Sequence, residues 1–142
     1  MYDTVLVPTD GSDAVDDSLE HALSIAADND ATVHALYVVD TRIVRAADDD
    51  SRDNLEATLE AEGEEAVTTV LERATEAGVE AIDAVRHGTP PRTILEYAEE
   101  IGADLIVIGP QGKTAREKVT SLGSVSERVV SDADRPVLVV RT

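Results

Sequence analysis

Residues 104–112 read DLIVIGPQG. Leu105 to Ile108 form an unbroken apolar run that stops at Gly109-Pro110. A short run of this kind, bounded by turn residues, reads as a strand buried on both faces. Double-sided burial is typical of a parallel sheet, whose strands are joined by helical crossovers. The flanking chain is therefore expected to alternate strands with amphipathic helices.

It does. TVLVPT (4–9) is a second buried strand, ended by Pro8 and the turn Asp10-Gly11. Ser12 or Asp13 then caps a helix whose apolar face is Val15, Leu19, Ala22, Leu23 and Ala26. TVHALYVVD (32–40) is the next strand. Residues 41–53 hold Asp48-Asp49-Asp50 and little periodicity, and read as a solvated loop. Leu55, Leu59, Ala66, Val67, Val70, Leu71 and Ala74 recur at helical spacing, with Gly78 as C-cap. Residues 80–86 read as a strand. Thr89 caps a helix with Pro90 at its first position and Ile94, Leu95, Ala98 and Ile101 on its face. A short helix is expected over 124–131, and PVLVV (136–140) is the last strand.

The order is β-α-β-α-β-α-β-α-β, with no internal repeat or linker. We expect an α/β fold with one domain over 1–142. Its core is a single doubly wound five-stranded parallel sheet, strand order 3-2-1-4-5, with helices on both faces. In such sheets ligands bind beyond the carboxyl ends of the strands where the winding reverses. With the first strand central, that crevice lies between Pro8-Thr9-Asp10-Gly11 and Gly109-Pro110-Gln111-Gly112.

Thirty Asp and Glu face twelve Lys and Arg, a formal net charge of −18. Such a surface repels nucleic acid and anionic membranes, so neither is an expected partner. Dense carboxylates suit a salt-rich, halophilic cytoplasm, where repulsion is screened. No apolar run approaches the ~20 residues of a membrane helix, and MYDTVLVPTD has no secretory start. A cytoplasmic location is expected. The chain has no cysteine, which removes thiolate chemistry. Its only lysines are Lys113 and Lys118, with Arg116 between them. This basic cluster in an acidic chain reads as compensation for an anionic ligand.

GPQGKT (109–114) imitates the end of a phosphate-binding P-loop, but Val107 stands where that pattern needs its first glycine. Its lysine also enters a long polar loop rather than a helix. Gly109 and Gly112 allow backbone amides close approach to a ligand. Gly123-Ser124 opens the last helix, where free N–H groups favour an anion. A two-part cradle follows, with phosphates between Gly112 and the amides of Ser124 and Val125. Ser124 with Glu127 equally fits a capping box. Asp10 by itself is as good a turn former or cap as a ligand-facing carboxylate. Val38 and Ile108 by themselves read as core.

Several stretches together resemble the universal stress protein family over essentially the whole chain. They are VLVPTDGS, YVVD, HGTPPRTILEYAEEIGADLIVIGPQG and LGSVSERVVSDADRPVLVV. ATP-binding members carry G-x2-G-x9-G-[ST]. Gly109, Gly112 and Gly123-Ser124 match, with ten residues instead of nine between Gly112 and Gly123. The resemblance implies that Asp10 faces the ribose or a phosphate-bound Mg2+, and that the Val38 backbone meets the adenine edge. Ile108 and Gly109 would then flank adenine and ribose. Gly112, Gly123, Ser124 and Val125 would hold phosphates, with Lys113 near them. It also implies a homodimer through the Pro136–Val140 strand and a stress-response role with ATP as ligand. Two other readings are a dimeric interaction module without nucleotide, and a slow ATPase or self-phosphorylating protein using Thr120, Ser121 or Ser124.

No catalytic residues are assigned, because nothing pairs a nucleophile with an orienting base. No metal ligands are assigned either. His21, His34 and His87 fall in different elements, and Asp48 to Asp50 lack a Ca2+ loop's alternation.

Overall fold

The computed structural model describes residues 1–12, 15–110 and 122–141. Its sheet has five parallel strands: β1 (Thr4–Pro8), β2 (Thr32–Asp40), β3 (Ala81–Gly88), β4 (Leu105–Ile108) and β5 (Val137–Val139). Their order is β3-β2-β1-β4-β5, as expected from the alternation. The helices are α1 (Val15–Asn29), α2 (Thr41–Ala46), α3 (Arg52–Glu76), α4 (Pro90–Ile101) and α5 (Ser124–Asp132).

Successive side chains of a strand point to opposite faces, so each central strand feeds two cores. Val5 and Val7 of β1, Val33, Ala35, Tyr37 and Val39 of β2, and Leu105 and Val107 of β4 pack with α1 and α3. Leu6, Leu36, Ile106 and Ile108 pack on the other face with Ile94, Tyr97 and Ala98 of α4 and Val129 of α5. Leu6, Leu36 and Ile106 are fully buried, each stabilising by about 1.5–3 kcal/mol.

The expected face of α1 is buried except for Val15, which is half-buried. Asp13 lies outside the described residues. Gly78 follows the C-cap Ala77 with φ +72°, the left-handed turn that ends α3. The strand β3 runs two residues past its expected end, to Gly88.

Three local expectations are corrected. The loop expected over 41–53 contains α2. Asp40 caps it by accepting from the Arg42 amide at 2.9 Å. The Arg42 guanidinium then grips the same carboxylate through Nε (3.0 Å) and Nη2 (2.9 Å). A six-residue helix with two adjacent apolar residues, Ile43 and Val44, shows no period to read. Second, Ser124 is the first helical residue of α5, and Gly123 is its N-cap. The Ser124–Glu127 box therefore does not form; the Glu127 amide donates to the Gly123 carbonyl at 2.9 Å. Third, Thr89 is the N-cap of α4, but its side chain makes no capping bond.

Candidate functional site

The strand β1 pairs with β2 on one side and β4 on the other. Crossovers leave on opposite faces of these two pairs, so the carboxyl ends of β1 and β4 open a crevice. A cleft of about 340 Å3 lies there, within the usual range for small-molecule sites of roughly 300–1,000 Å3.

One wall comes from the turn after β1. The Thr9 amide donates to the Leu36 carbonyl at 2.8 Å, extending the β1–β2 ladder. The Gly11 amide donates to Thr9 Oγ1 at 3.2 Å, and the Ser12 amide to Asp10 Oδ1 at 3.0 Å. These side-chain bonds close the turn, and φ +81° at Gly11 needs a residue without Cβ. Asp10 is thus a turn former and also lines the cleft beside Pro8, Thr9 and Ser12. The turn-forming reading of Asp10 is met, and its carboxylate also borders the cleft.

The floor is apolar. Leu36, Val38, Ile43, Leu59, Pro90, Ile94 and Ile108 face it from β2, α2, α3, α4 and β4. Val38 and Ile108, read by themselves as core, pack under α4 and α5 and also line the cleft. Tyr37, Asp40 and Glu62 add polar groups. Burial pushes the Tyr37 phenol above its ordinary pKa, and the nearby Glu62 and Asp10 carboxylates push it further. It stays a neutral donor beside two acids. Burial pushes the Asp40 carboxyl up. The bonds from the Arg42 side chain and amide, its charge and the Ile43 amide together outweigh that, leaving the group below its ordinary value.

The last wall joins two distant segments. Ser126 Oγ, buried, donates to the Gly109 carbonyl at 2.7 Å. The Gly123 amide donates to the Pro110 carbonyl at 2.6 Å. The start of α5 is thereby pinned against the end of β4. Gly109, Val125 and Ser126 line the cleft. Gly123 and Ser124 do not line it but stand beside it at the helix start, with Ser124 exposed. Gly112 and Lys113 lie outside the described residues, as do Thr120 and Ser121. Neither Gly109 nor Gly123 has a positive φ. Backbone torsion therefore does not demand glycine at either position.

The Universal stress protein family matches residues 1–141. This chain belongs to that family. It is 42% identical to universal stress protein MJ0531 of Methanocaldococcus jannaschii over 142 residues, covering 99% of this chain and 83% of that one. The solved structure of the hypothetical protein MJ0577, from the same organism, superposes with a TM-score of 0.90 at 30% identity, covering 100% of this chain and 97% of the other. A crystal structure of a universal stress protein in complex with cAMP matches with a TM-score of 0.70 at 28% identity, covering 99% and 97%.

In this universal stress protein, sequence reading missed Tyr37, Asp40, Glu62 and Ser126. Tyr37 and Asp40 sit in the quoted YVVD stretch, which signalled their position without their direction. Glu62 and Ser126 reach the cleft only through helix packing, which spacing along the chain does not show. Among the described residues lining the cleft there is no lysine or arginine.

Proposed function

We propose that this cleft holds an adenine nucleotide, and that the protein is a small cytoplasmic ATP-binding member of its family serving a stress response. The observation that carries this reading is the union of an apolar floor with a helix start. The first amides of α5 have no intrahelical acceptor and point out of the helix end. Among the described residues no side chain caps that end. An anion is favoured there by the free N–H groups and the helix dipole. The apolar floor of Leu36, Val38 and Ile108 suits the face of a purine. The cAMP complex of a 28% identical relative supports an adenine ligand.

Room for the ligand also accounts for the glycines. At Gly123, φ −70° would accept any residue. In this reading a side chain there would occupy the place of a phosphate oxygen. The carboxylates Asp10, Asp40 and Glu62 repel a bare polyanion. Mg2+ carried on the phosphates fits that donor set, with Asp10 as its protein contact, and would supply the missing positive charge. Gly112 and Lys113, outside the described residues, are the further phosphate contacts this reading proposes. The three-residue strand β5 lies at a sheet edge, and its Val137, Leu138 and Val139 are half-buried. Pairing with a second copy would cover this apolar edge, which supports a homodimer. The charge of −18 suits work at high salt.

A second reading is favoured by the same carboxylates: an interaction module in which nucleotide is excluded. Isothermal titration with ATP, AMP and cAMP, with Mg2+ and at high KCl, separates the two. The proposal expects saturable one-to-one heat with at least one of them. It also expects loss of that heat in Gly123→Val with the melting curve retained. Absence of saturable heat with all three nucleotides would remove the proposal and leave the interaction module.

A further inference from the structure

Outside the lining of the cleft, three side chains converge that neither the core nor the nucleotide reading uses. Glu56 and Glu60 stand four residues apart on α3, hence on one face of the helix. The end of β3 brings His87 to them, and His87 Nε2 lies 2.9 Å from Glu60 Oε1. One donor atom from each residue falls within 4.8 Å of the other two. We propose that Glu56, Glu60 and His87 form a surface site for a divalent transition-metal ion of the Zn2+ type.

Three features carry this. The first is the donor set. One imidazole with two carboxylates is a set that first-row divalent ions accept, whereas Mg2+ and Ca2+ prefer oxygen alone. The second is reach. Donors about 2.0–2.2 Å from Zn2+ lie roughly 3.4 Å apart in a tetrahedron. His87 and Glu60 are already inside that separation, and a carboxylate oxygen of the exposed Glu56 lies within 4.8 Å of both. The third is the surplus carboxylate. A His–Glu hydrogen bond needs one acid, and a second at i−4 on the same helix face is repelled by the first unless a cation lies between them.

Three protein donors leave a coordination position for water. Glu56 and His87 are exposed and Glu60 is half-buried, so an ion has open access. Such an ion would tie α3 to the edge strand β3. That junction lies next to Leu59 and ahead of Pro90, both of which line the cleft. The proposal does not depend on nucleotide binding. The spacing of three histidines along the chain gave no hint of it, because two of the three donors are glutamates far from His87 in sequence, the nearer, Glu60, 27 residues away.

The test is titration of the nucleotide-free full chain with Zn2+ at high KCl, which screens diffuse binding to the acidic surface. We expect one saturable Zn2+ per chain. His87→Ala and Glu60→Gln should each weaken it at least about tenfold. His21→Ala, exposed on α1, should leave it unchanged, and Mg2+ should give no comparable site. Melting curves confirm that these surface variants fold. A His87→Ala isotherm that overlays the wild type would overturn the proposal. So would the absence of a saturable one-to-one phase, or equal affinity for Mg2+.

Discussion

Gly63 occupies the interior of α3, where glycine costs a helix about 1 kcal/mol relative to alanine. The Tyr37 ring explains it. A Cβ at position 63 would stand 2.5 Å from Tyr37 Cδ1 and 3.0 Å from Cγ and Cε1. Tyr37 is itself a cleft residue, so this helix glycine sets how deep one wall of the site lies. Gly63→Ala gains helix propensity but forces the ring to move. We expect a net destabilisation of about 1–2 kcal/mol in urea unfolding, and an equal or higher stability would refute the packing argument. Asp40 gives a second residue-scale test. Its carboxyl titrates below its ordinary value of 3.8 in the folded chain. The stability it contributes is therefore complete above that value and is lost as pH falls through the lower folded one. Asp40→Ala should cost about 1 kcal/mol at pH 7 through the lost cap of α2. In thermal melts, the gap from wild type should narrow below about pH 4. A gap of constant size down to pH 2.5 would contradict the assignment. Neither Gly63 nor Asp40 announced its role in the sequence: the glycine lies inside a helical pattern, and the aspartate ends a strand.

At the scale of elements, the helices and strands with long apolar stripes were legible, and their packing partners were not. The face of α1 followed from spacing because it buries one continuous stripe, whereas on α4 Ile94 and Ala98 are buried as expected, Leu95 and Ile101 are half-buried, and Tyr97, not expected on that face, is buried. The short α2 was missed because its stability comes from the Asp40 cap rather than from periodicity. The start of α5 at Ser124 was legible, but its capping residue was not. Ser124 and Gly123 both suit an N-cap, and contact with β4 decided between them. The C-terminus of α4 shows another case. It has no basic residue in its last turn, yet Arg135, far along the chain, supplies the charge. Its Nη1 donates to the Ala98 carbonyl at 3.0 Å and to the Ala103 carbonyl at 2.7 Å, while Nη2 pairs with Glu99 at 2.8 Å. The Arg135 side chain is only 15% exposed. Arg135→Ala should cost about 1.5–3 kcal/mol by chemical denaturation. Arg135→Lys should recover only part, since an ammonium lacks the planar fork. Cost-free replacement by alanine would show that the α4–β5 corner is held by apolar packing alone.

At the scale of the molecule, the sheet order was readable because strand–helix alternation and unbroken apolar strands leave few arrangements. The place of the cleft followed from that order. Its chemistry was half legible. The turn at Asp10-Gly11 and the residues Val38, Ile108, Gly109 and Val125 meet at the cleft, and Gly123-Ser124 stands beside it. The acidic partners Asp40 and Glu62 appeared only when helices were laid on the sheet. Among the described residues no helix is long and apolar enough to cross a membrane. The central claim is that nucleotide enters at the joined ends of β1 and β4. The most direct test is a 15N-resolved NMR titration with MgATP at high KCl. Amides of Thr9, Val38, Gly109, Ser124 and Val125 should shift together and saturate, while those of Arg92 and Glu96 on the far side of α4 stay still. Saturation without shifts in the first group, or shifts confined to the second, would contradict the account.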